Sequence, residues 1–299
     1  MELRHLRYFV AVAEEGHVTR AAARLGIQQP PLSQQIRALE AELQVQLFRR
    51  KPRGVELTQA GEALFAEARA ILEQIERAVT AVRRTARGEA GRIGLGFTSS
   101  ASFHPFVPRL IREYREAQPL VALSLEESGT GELVAALLDE RLDAAFVRSP
   151  IGPAEGIAVH SVLEEAMVAA LPAGHKLARH NAATPLGLNE LAAETFILYR
   201  RPLGPGLYDA IIGACQRAGY SPNIGQEAPR MLATLSLVAA GLGVTLVPRS
   251  MRRLRVHGVA YRALDSGAGL IAPLNLAFRR GESSEAARRF IALARRSAA

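Results

Sequence analysis

The chain has a single cysteine, Cys215, in 299 residues, which excludes an internal disulfide and leaves no cysteine cluster to hold a metal. No apolar run reaches the roughly 18 to 20 residues that would cross a bilayer. The first residues, MELRHLRYFVAVAEEG, mix charges into the apolar positions, which is not the pattern of a secretion signal. A nucleotide loop is missing as well. GRIGLGFTSSA (91–101) carries Gly-x-Gly, but it lacks a third glycine and a suitably spaced acidic residue, and Gly94 and Gly96 fall inside a strand pattern. The histidines, His5, His17, His104, His160, His175, His180 and His257, include no pair at helical metal spacing, and none adjoins a nucleophile signature. These absences point to a reducing, cytoplasmic setting and to a chain with no cofactor, no metal, no membrane association and no catalytic residues. Cys215 falls within a helical stretch and reads as a buried structural thiol rather than a redox sensor.

What is present is basic. The net charge is +8 and the pI near 10.3, which suits a polyanionic partner. The densest cluster is Arg49, Arg50, Lys51 and Arg53. Its position gives it meaning. Leu3, Leu6, Phe9, Val10 and Val12 recur at helical spacing, so a helix is expected over 3–14 and Gly16 ends it. A second short helix, 18–25, turns Ala21, Ala22 and Leu25 inward and closes at Gly26. A third runs over 29–43, with Pro30 and Pro31 in its first turn, where a missing N–H costs nothing. Leu32, Ile36, Leu39 and Leu43 form its inner stripe.

Helix, glycine turn, helix is the arrangement in which the second helix enters a DNA major groove. The outer side of that helix carries Gln28, Gln29, Ser33, Gln34 and Arg37, with Pro30 at its entry. Flat amides match adenine edges, and a guanidinium matches guanine or phosphate. A polar face that merely keeps a three-helix bundle soluble would look similar. The basic cluster then reads as a hairpin with Pro52 and Gly54 at its turn. Such a wing would bring Arg53 near the minor groove and Arg50 or Lys51 to phosphates.

From 59 to 87 there is no proline, and Leu64, Ala68, Ile71, Ile75, Ala78 and Val82 alternate spacings of four and three. That seam predicts a long helix paired with a second copy, which presents two reading helices to an operator with dyad symmetry.

These blocks resemble the LysR-type transcriptional regulators. The residues that carry the likeness are LRHLRYFVAVAEEG, TRAAARLGIQQPPLSQQIRALEAELQVQLFRR and RGVELTQAG in the first 61 positions, together with SLVAAGLGVTLVP at 236–248. His17 departs from the small polar cap that the family often has before the second helix.

Over 91–299, strands expected at 92–97, 121–126, 143–148, 166–171, 195–199, 244–247 and 273–278 alternate with helices at 106–117, 130–140, 206–219, 229–241 and 284–296. Such alternation predicts parallel sheets covered by helices, an α/β domain. The resemblance implies two periplasmic-binding-protein-like subdomains with a ligand between them, behind an all-α winged helix-turn-helix and a long linker helix. The expected division is a DNA-binding domain at 1–58, a linker at 59–88 and an effector domain at 89–299. Subdomain I would take about 89–163 and 268–299, and subdomain II about 164–267.

Ligands bind beyond the carboxyl ends of such strands. Thr98, Ser99 and Ser100 follow one strand, Thr130 reads as a helix N-cap after another, and Arg148 ends a third as a cation facing the same cleft. Together they suit a carboxylate, although capping hydroxyls and a surface arginine would leave the same trace. The layout is similar to the muconate- and benzoate-responsive branch of the family. That likeness implies that Ser99 or Ser100, Thr130 and Arg148 touch an acidic effector and that Pro205 and Leu207 cover the mouth. Arg200, Arg201 and Leu207 depart from that branch. It further implies a homodimer or homotetramer, an aromatic or dicarboxylic acid as effector, RNA polymerase as a partner, and activation of a catabolic operon. An enzyme or a solute-binding protein is the alternative, and neither explains the basic helix-turn-helix.

Overall fold

The computed structural model describes residues 1–52, 54–148, 156–179, 184–203, 205–281 and 284–298. Arg53 and His180, named above, lie outside the described residues. Two compact units are present, Met1–Arg84 and Thr85–Ala299.

In the first unit, α1 (Leu3–Glu15), α2 (Val18–Leu25) and α3 (Gln29–Leu43) precede a hairpin of β1 (Phe48–Lys51) and β2 (Gly54–Leu57), and α4 (Gln59–Ala86) follows. Phe9, Val12, Ala21, Leu32, Leu39 and Leu47 are fully buried together. Each large member contributes roughly 1.5–3 kcal/mol by leaving water. Alanine at positions 21 and 22 lets α2 approach its neighbours closely. The turn to α3 needs Gly26, whose φ of +67° is left-handed and whose N–H reaches the carbonyls of Ala22 and Ala23. His17 caps α2 after all: its Nδ1 accepts the Thr19 N–H at 3.2 Å. The departure from the family pattern leaves the cap in place.

The hairpin is tied to α3 by Glu40, whose carboxylate accepts the N–H groups of Leu47 and Phe48 at 2.8 and 3.2 Å. Thr58 then starts α4 by accepting the Gly61 N–H at 3.0 Å and donating to the Gln46 carbonyl at 2.7 Å. At Gly61 a Cβ would stand 2.1 Å from the Leu47 carbonyl oxygen, so only glycine fits where α4 leaves the hairpin.

The second unit is organised by one mixed sheet. In chain order its strands are β3 (Ala90–Phe97), β4 (Leu120–Glu127), β5 (Ala144–Val147), β6 (Ile157–Pro172), β9 (Thr245–Pro248), β10 (Val259–Ala263) and β11 (Ile271–Arg279). A separate parallel pair is β7 (Thr195–Tyr199) with β8 (Asn223–Ala228). The helices are α5 (Ser99–Ser102), α6 (Phe106–Ala117), α7 (Thr130–Leu138), α8 (Lys176–Arg179), α9 (Pro205–Arg217), α10 (Met231–Ala239) and α11 (Glu285–Ala298).

β3, β4 and β5 are parallel, as the alternation of strands and helices predicts. The expectation of wholly parallel sheets fails elsewhere: β6 is antiparallel to β9, β10 and β11, and β11 is antiparallel to β5. Parallel neighbours need a long crossover. β9, β10 and β11 each run opposite to β6, and hence in the same direction as one another, and among the described residues none of the three is paired with another. β6 is also 16 residues long, more than twice its expected length. Its first part, Ile157–Ala166, pairs with β11, and Met167–Pro172 pairs with β9 and β10. Two apolar cores lie on either side of that change of partner. One contains Ile93, Leu110, Phe146, Leu276 and Phe290; the other contains Ala170, Phe196, Ile211, Leu235 and Leu246. β6 runs through both lobes.

Candidate DNA-reading face and effector cleft

On α3 Leu32, Ile36 and Leu39 of the inner stripe are buried and Leu43 is half-buried, while Gln28, Gln29, Pro30, Gln34 and Arg37 are exposed and Ser33 is half-buried. Gln29 and Ser33 are not independent, because Gln29 Nε2 donates to Ser33 Oγ at 2.8 Å, one turn along. The hairpin register alternates the basic residues. Arg49 pairs with Glu56, Arg50 with Val55 and Lys51 with Gly54, so Arg50 points away from the side shared by Arg49 and Lys51. Arg49 and Lys51 both reach the Glu56 carboxylate at 2.8 Å. Their hydrogen bonds, Lys51 first and Arg49 second, lower the Glu56 pKa. Part of the cationic charge expected of the wing is therefore already balanced. Arg50 is exposed and makes no ion pair among the described residues.

The seam on α4 divides in a way the periodicity could not tell. Ala68 is fully buried, and Leu64, Phe65 and Leu72 pack beside it on the first unit's own core. Ala68 is thus not available to a second copy. Further along, Ile71 is 40% exposed and Val82 is 69% exposed, with Ala78 exposed and Ile75 half-buried between them.

In the second unit the carboxyl ends of β4, β3 and β5 lie side by side. The Ser128 N–H bonds the Phe97 carbonyl at 3.2 Å, and the Thr98 N–H bonds the Phe146 carbonyl at 3.0 Å. This brings Thr98, Ser99, Ser100, Ser128, Gly129, Thr130, Glu132 and Arg148 to one wall of a cavity of about 140 Å³. The opposite wall follows β7 and β8 and supplies Tyr199, Leu207, Pro229, Arg230 and Met231. Apart from Arg230, the second wall is apolar or aromatic, which suits a ligand with a polar head and a flat apolar body. A cavity of about 150 Å³ accommodates one benzene ring, so the space fits a single ring.

Three expectations need correction. Thr130 is not the N-cap of α7; Gly129 is, and Thr130 opens the helix. Pro205 begins α9 but does not line the cavity, whereas Leu207 does, at 3% exposure. Arg148 is no free cation. It is 2% exposed, and its Nη2 sits 2.5 Å from Glu165, a residue on the β6 stretch that the sequence pattern missed. Nη1 and Nη2 also donate to the carbonyls of Ala272 and Ser100, at 3.3 and 3.2 Å. Burial lowers the Arg148 pKa, and Glu165 opposes that shift. Glu165 in turn accepts from the backbone N–H and hydroxyl of Ser250 at 2.7 and 2.9 Å. A buried guanidinium requires such a counter-charge, and that requirement was the one signal that could have led to Glu165. Arg201, likewise, is engaged by Asp209 through two bonds of 2.7 and 2.8 Å.

Not every polar group in the cleft is engaged. Thr98 Oγ1, Thr130 Oγ1 and Arg148 Nε are buried without a hydrogen-bond partner among the described residues. Ser99 Oγ donates to Glu127 at 2.6 Å, and Arg230 reaches the same carboxylate oxygen at 2.6 Å. Glu132 is held by Ser128 and by the Gly129 N–H at 3.1 Å, bonds that keep it below the usual carboxylate range. Cys215 is fully buried, and burial pushes its thiol pKa up, so it is a poor nucleophile.

The comparisons agree along the whole chain. Residues 3–62 match the model for the bacterial regulatory helix-turn-helix protein, lysR family, and residues 86–299 match the LysR substrate binding domain. The HTH-type transcriptional regulator BudR of Raoultella terrigena is 40% identical, with 97% of this chain and 99% of that protein covered. The probable cat1 operon transcriptional activator of Acinetobacter lwoffii is 35% identical, with coverage of 95% and 92%. Full-length CbnR in complex with its target DNA superposes with a TM-score of 0.86 at 31% identity, each chain covered in full. These relatives are regulators, not enzymes or solute carriers. No described helix is long and apolar enough to cross a membrane. From its helix-turn-helix to its paired lobes, this chain belongs to the LysR family of transcriptional regulators.

Proposed function

We propose that the protein reads an operator through α3 and responds to a small carboxylic acid held between the two lobes of its second unit. The observation that carries this reading is the set of orphaned groups in the cleft: Thr98 Oγ1, Thr130 Oγ1 and Arg148 Nε. A buried polar atom without a partner costs about 1–3 kcal/mol, and a ligand oxygen removes that cost. Thr98, Ser99, Ser100, Thr130 and Arg148 are the polar contacts, and Leu207 is an apolar one. Pro205 supports the start of α9 behind Leu207.

Gln28, Gln29, Pro30, Ser33, Gln34 and Arg37 form the base- and groove-facing surface, with Arg50 the cation of the wing freest to meet phosphate. Arg53 joins this set on sequence grounds alone. A second copy pairs along Ile71, Ile75, Ala78 and Val82, and so presents two α3 helices to an operator with dyad symmetry. The working organisation is a DNA-binding region at 1–58, a linker at 59–88 and an effector region at 89–299. Dimers associate to tetramers in the cytoplasm. The acid favours one setting of the lobes only by binding it better than the other, and RNA polymerase then meets a differently bent promoter. Activation of a catabolic operon is the expected sign, in keeping with the activator from Acinetobacter lwoffii.

Thermal-shift screening of the full chain against small aromatic and aliphatic acids tests this directly. Acids should raise the melting temperature of the wild type, and Thr130→Val should blunt the response. An effect of the same size in both proteins would move the ligand out of this cleft.

A further inference from the structure

Beside the cavity, a carboxylate of the protein's own holds two of the groups that line it. Glu127 ends β4 and accepts two bonds of 2.6 Å, one from Ser99 on its own lobe and one from Arg230 at the start of α10 on the other. Both donors line the cavity. The side chains of Arg230 and Glu127 are 58% and 36% exposed. A pair so open to water is held by no more than about five-fold in its equilibrium constant. Arg148 is the opposite case, because exchanging Glu165 for a ligand would strip a buried charge of its partner. Of the two arginines, Arg230 is the one that changes partner cheaply.

Charge counting narrows the ligand. Around the guanidiniums of Arg148 and Arg230 stand the carboxylates of Glu165, Glu127 and Glu132. One incoming negative charge can replace Glu127 on Arg230. Among the described residues that line the cavity, a second finds no unpaired cation, and it meets Glu132 on the wall.

Resting on the cleft reading above, we propose that the effector is a ring-sized monocarboxylic acid whose carboxylate displaces Glu127 from Ser99 and Arg230. Arg230 is then the residue that selects for charge, and Glu127 is the internal competitor that sets the acid concentration at which the protein responds. The exchange also turns a lobe-to-lobe tie made by the chain into one made through the ligand.

The test is calorimetry on the full chain with three probes: benzoate, its neutral isostere benzamide, and terephthalate, the same ring with a second carboxylate. Wild type should prefer benzoate to the other two. Glu127→Gln should tighten benzoate by up to about five-fold, the most that the exposed pair can hold back, and Arg230→Gln should weaken it about ten-fold, as expected for one charge-assisted hydrogen bond. Benzamide should be unaffected by either change. Unchanged benzoate affinity in both variants overturns the proposal, as does terephthalate binding more tightly than benzoate, or benzoate binding to neither wild type nor Glu127→Gln. The cleft reading fails separately, if acids that do bind are insensitive to Thr130→Val.

Discussion

The recognition face of α3 and the wall of the cleft use the same kinds of group, amides, hydroxyls and guanidiniums, in opposite solvents. On α3 the glutamines and Arg37 are exposed, and Ser33 is half-buried beside Gln29. Water satisfies them, so leaving one unpaired costs nothing until DNA displaces the water. In the cleft Thr98, Thr130 and Arg148 are more than nine-tenths buried, and each keeps an atom that nothing among the described residues satisfies. The first face costs the fold nothing. The second stores part of the fold's stability as binding energy, the usual bargain at a functional site.

Mutations at the two faces should therefore differ in sign as well as size. The largest effect is expected at Glu165→Ala, which leaves Arg148 buried without its counter-charge. Urea unfolding should show a loss of about 3–5 kcal/mol in the second unit's transition, and a loss below 1 kcal/mol would mean that the pair is wetter than its burial indicates. Gln34→Ala should cost about 1–3 kcal/mol of specific operator binding while sparing non-specific binding and folding; competition with unrelated DNA separates the two. Thr130→Val should do the reverse, making the ligand-free chain more stable by about 1 kcal/mol while weakening the acid, as read from guanidinium midpoints with and without ligand.

Smaller still is Glu56→Gln. It frees Arg49 and Lys51, so operator affinity should rise and its salt dependence steepen by about one phosphate contact. An unchanged slope would keep both residues off the backbone. Least of all is a pH effect. Burial holds the His104 imidazole below its ordinary value, with Glu165 opposing and Arg148, Arg253 and Arg109 adding. The unfolded chain thus takes up this proton first, and stability falls as pH drops below 6.5 towards the lower folded pKa. His104→Gln should flatten that part of the profile.

The same contrast explains what could be read in advance. Helices with long apolar stripes were legible, down to Leu32, Ile36 and Leu39 on α3. So were the strand ends that deliver Thr98, Thr130 and Arg148 to one cavity, because a turn rich in hydroxyls after an apolar run marks where a sheet opens. β8 was missed because NIGQEA is exposed at all but its last residue and has little strand character. The first half of β6 was missed because its partner, β11, lies more than a hundred residues further along the chain. With that half went Glu165, and the pairing of Arg148 went with it. Arg230 was hidden for another reason. It stands at the N-cap of α10, a position the periodicity assigned to the helix itself. On α4, spacing alone could not separate residues packed inward, such as Ala68, from those left outward, such as Val82.

The uninterrupted course of β6 limits how the cleft can work. Two lobes joined by slack loops could swing wide apart, but here they share a strand that is paired from Ile157 to Pro172 with one register shift, opposite Leu274 and Asn275. Any rotation of one lobe against the other has to be absorbed as torsion where the hydrogen-bonded neighbour changes, between Ala166 and Met167. Such a spindle permits a twist of small amplitude, and a ligand as small as one ring is enough to set it.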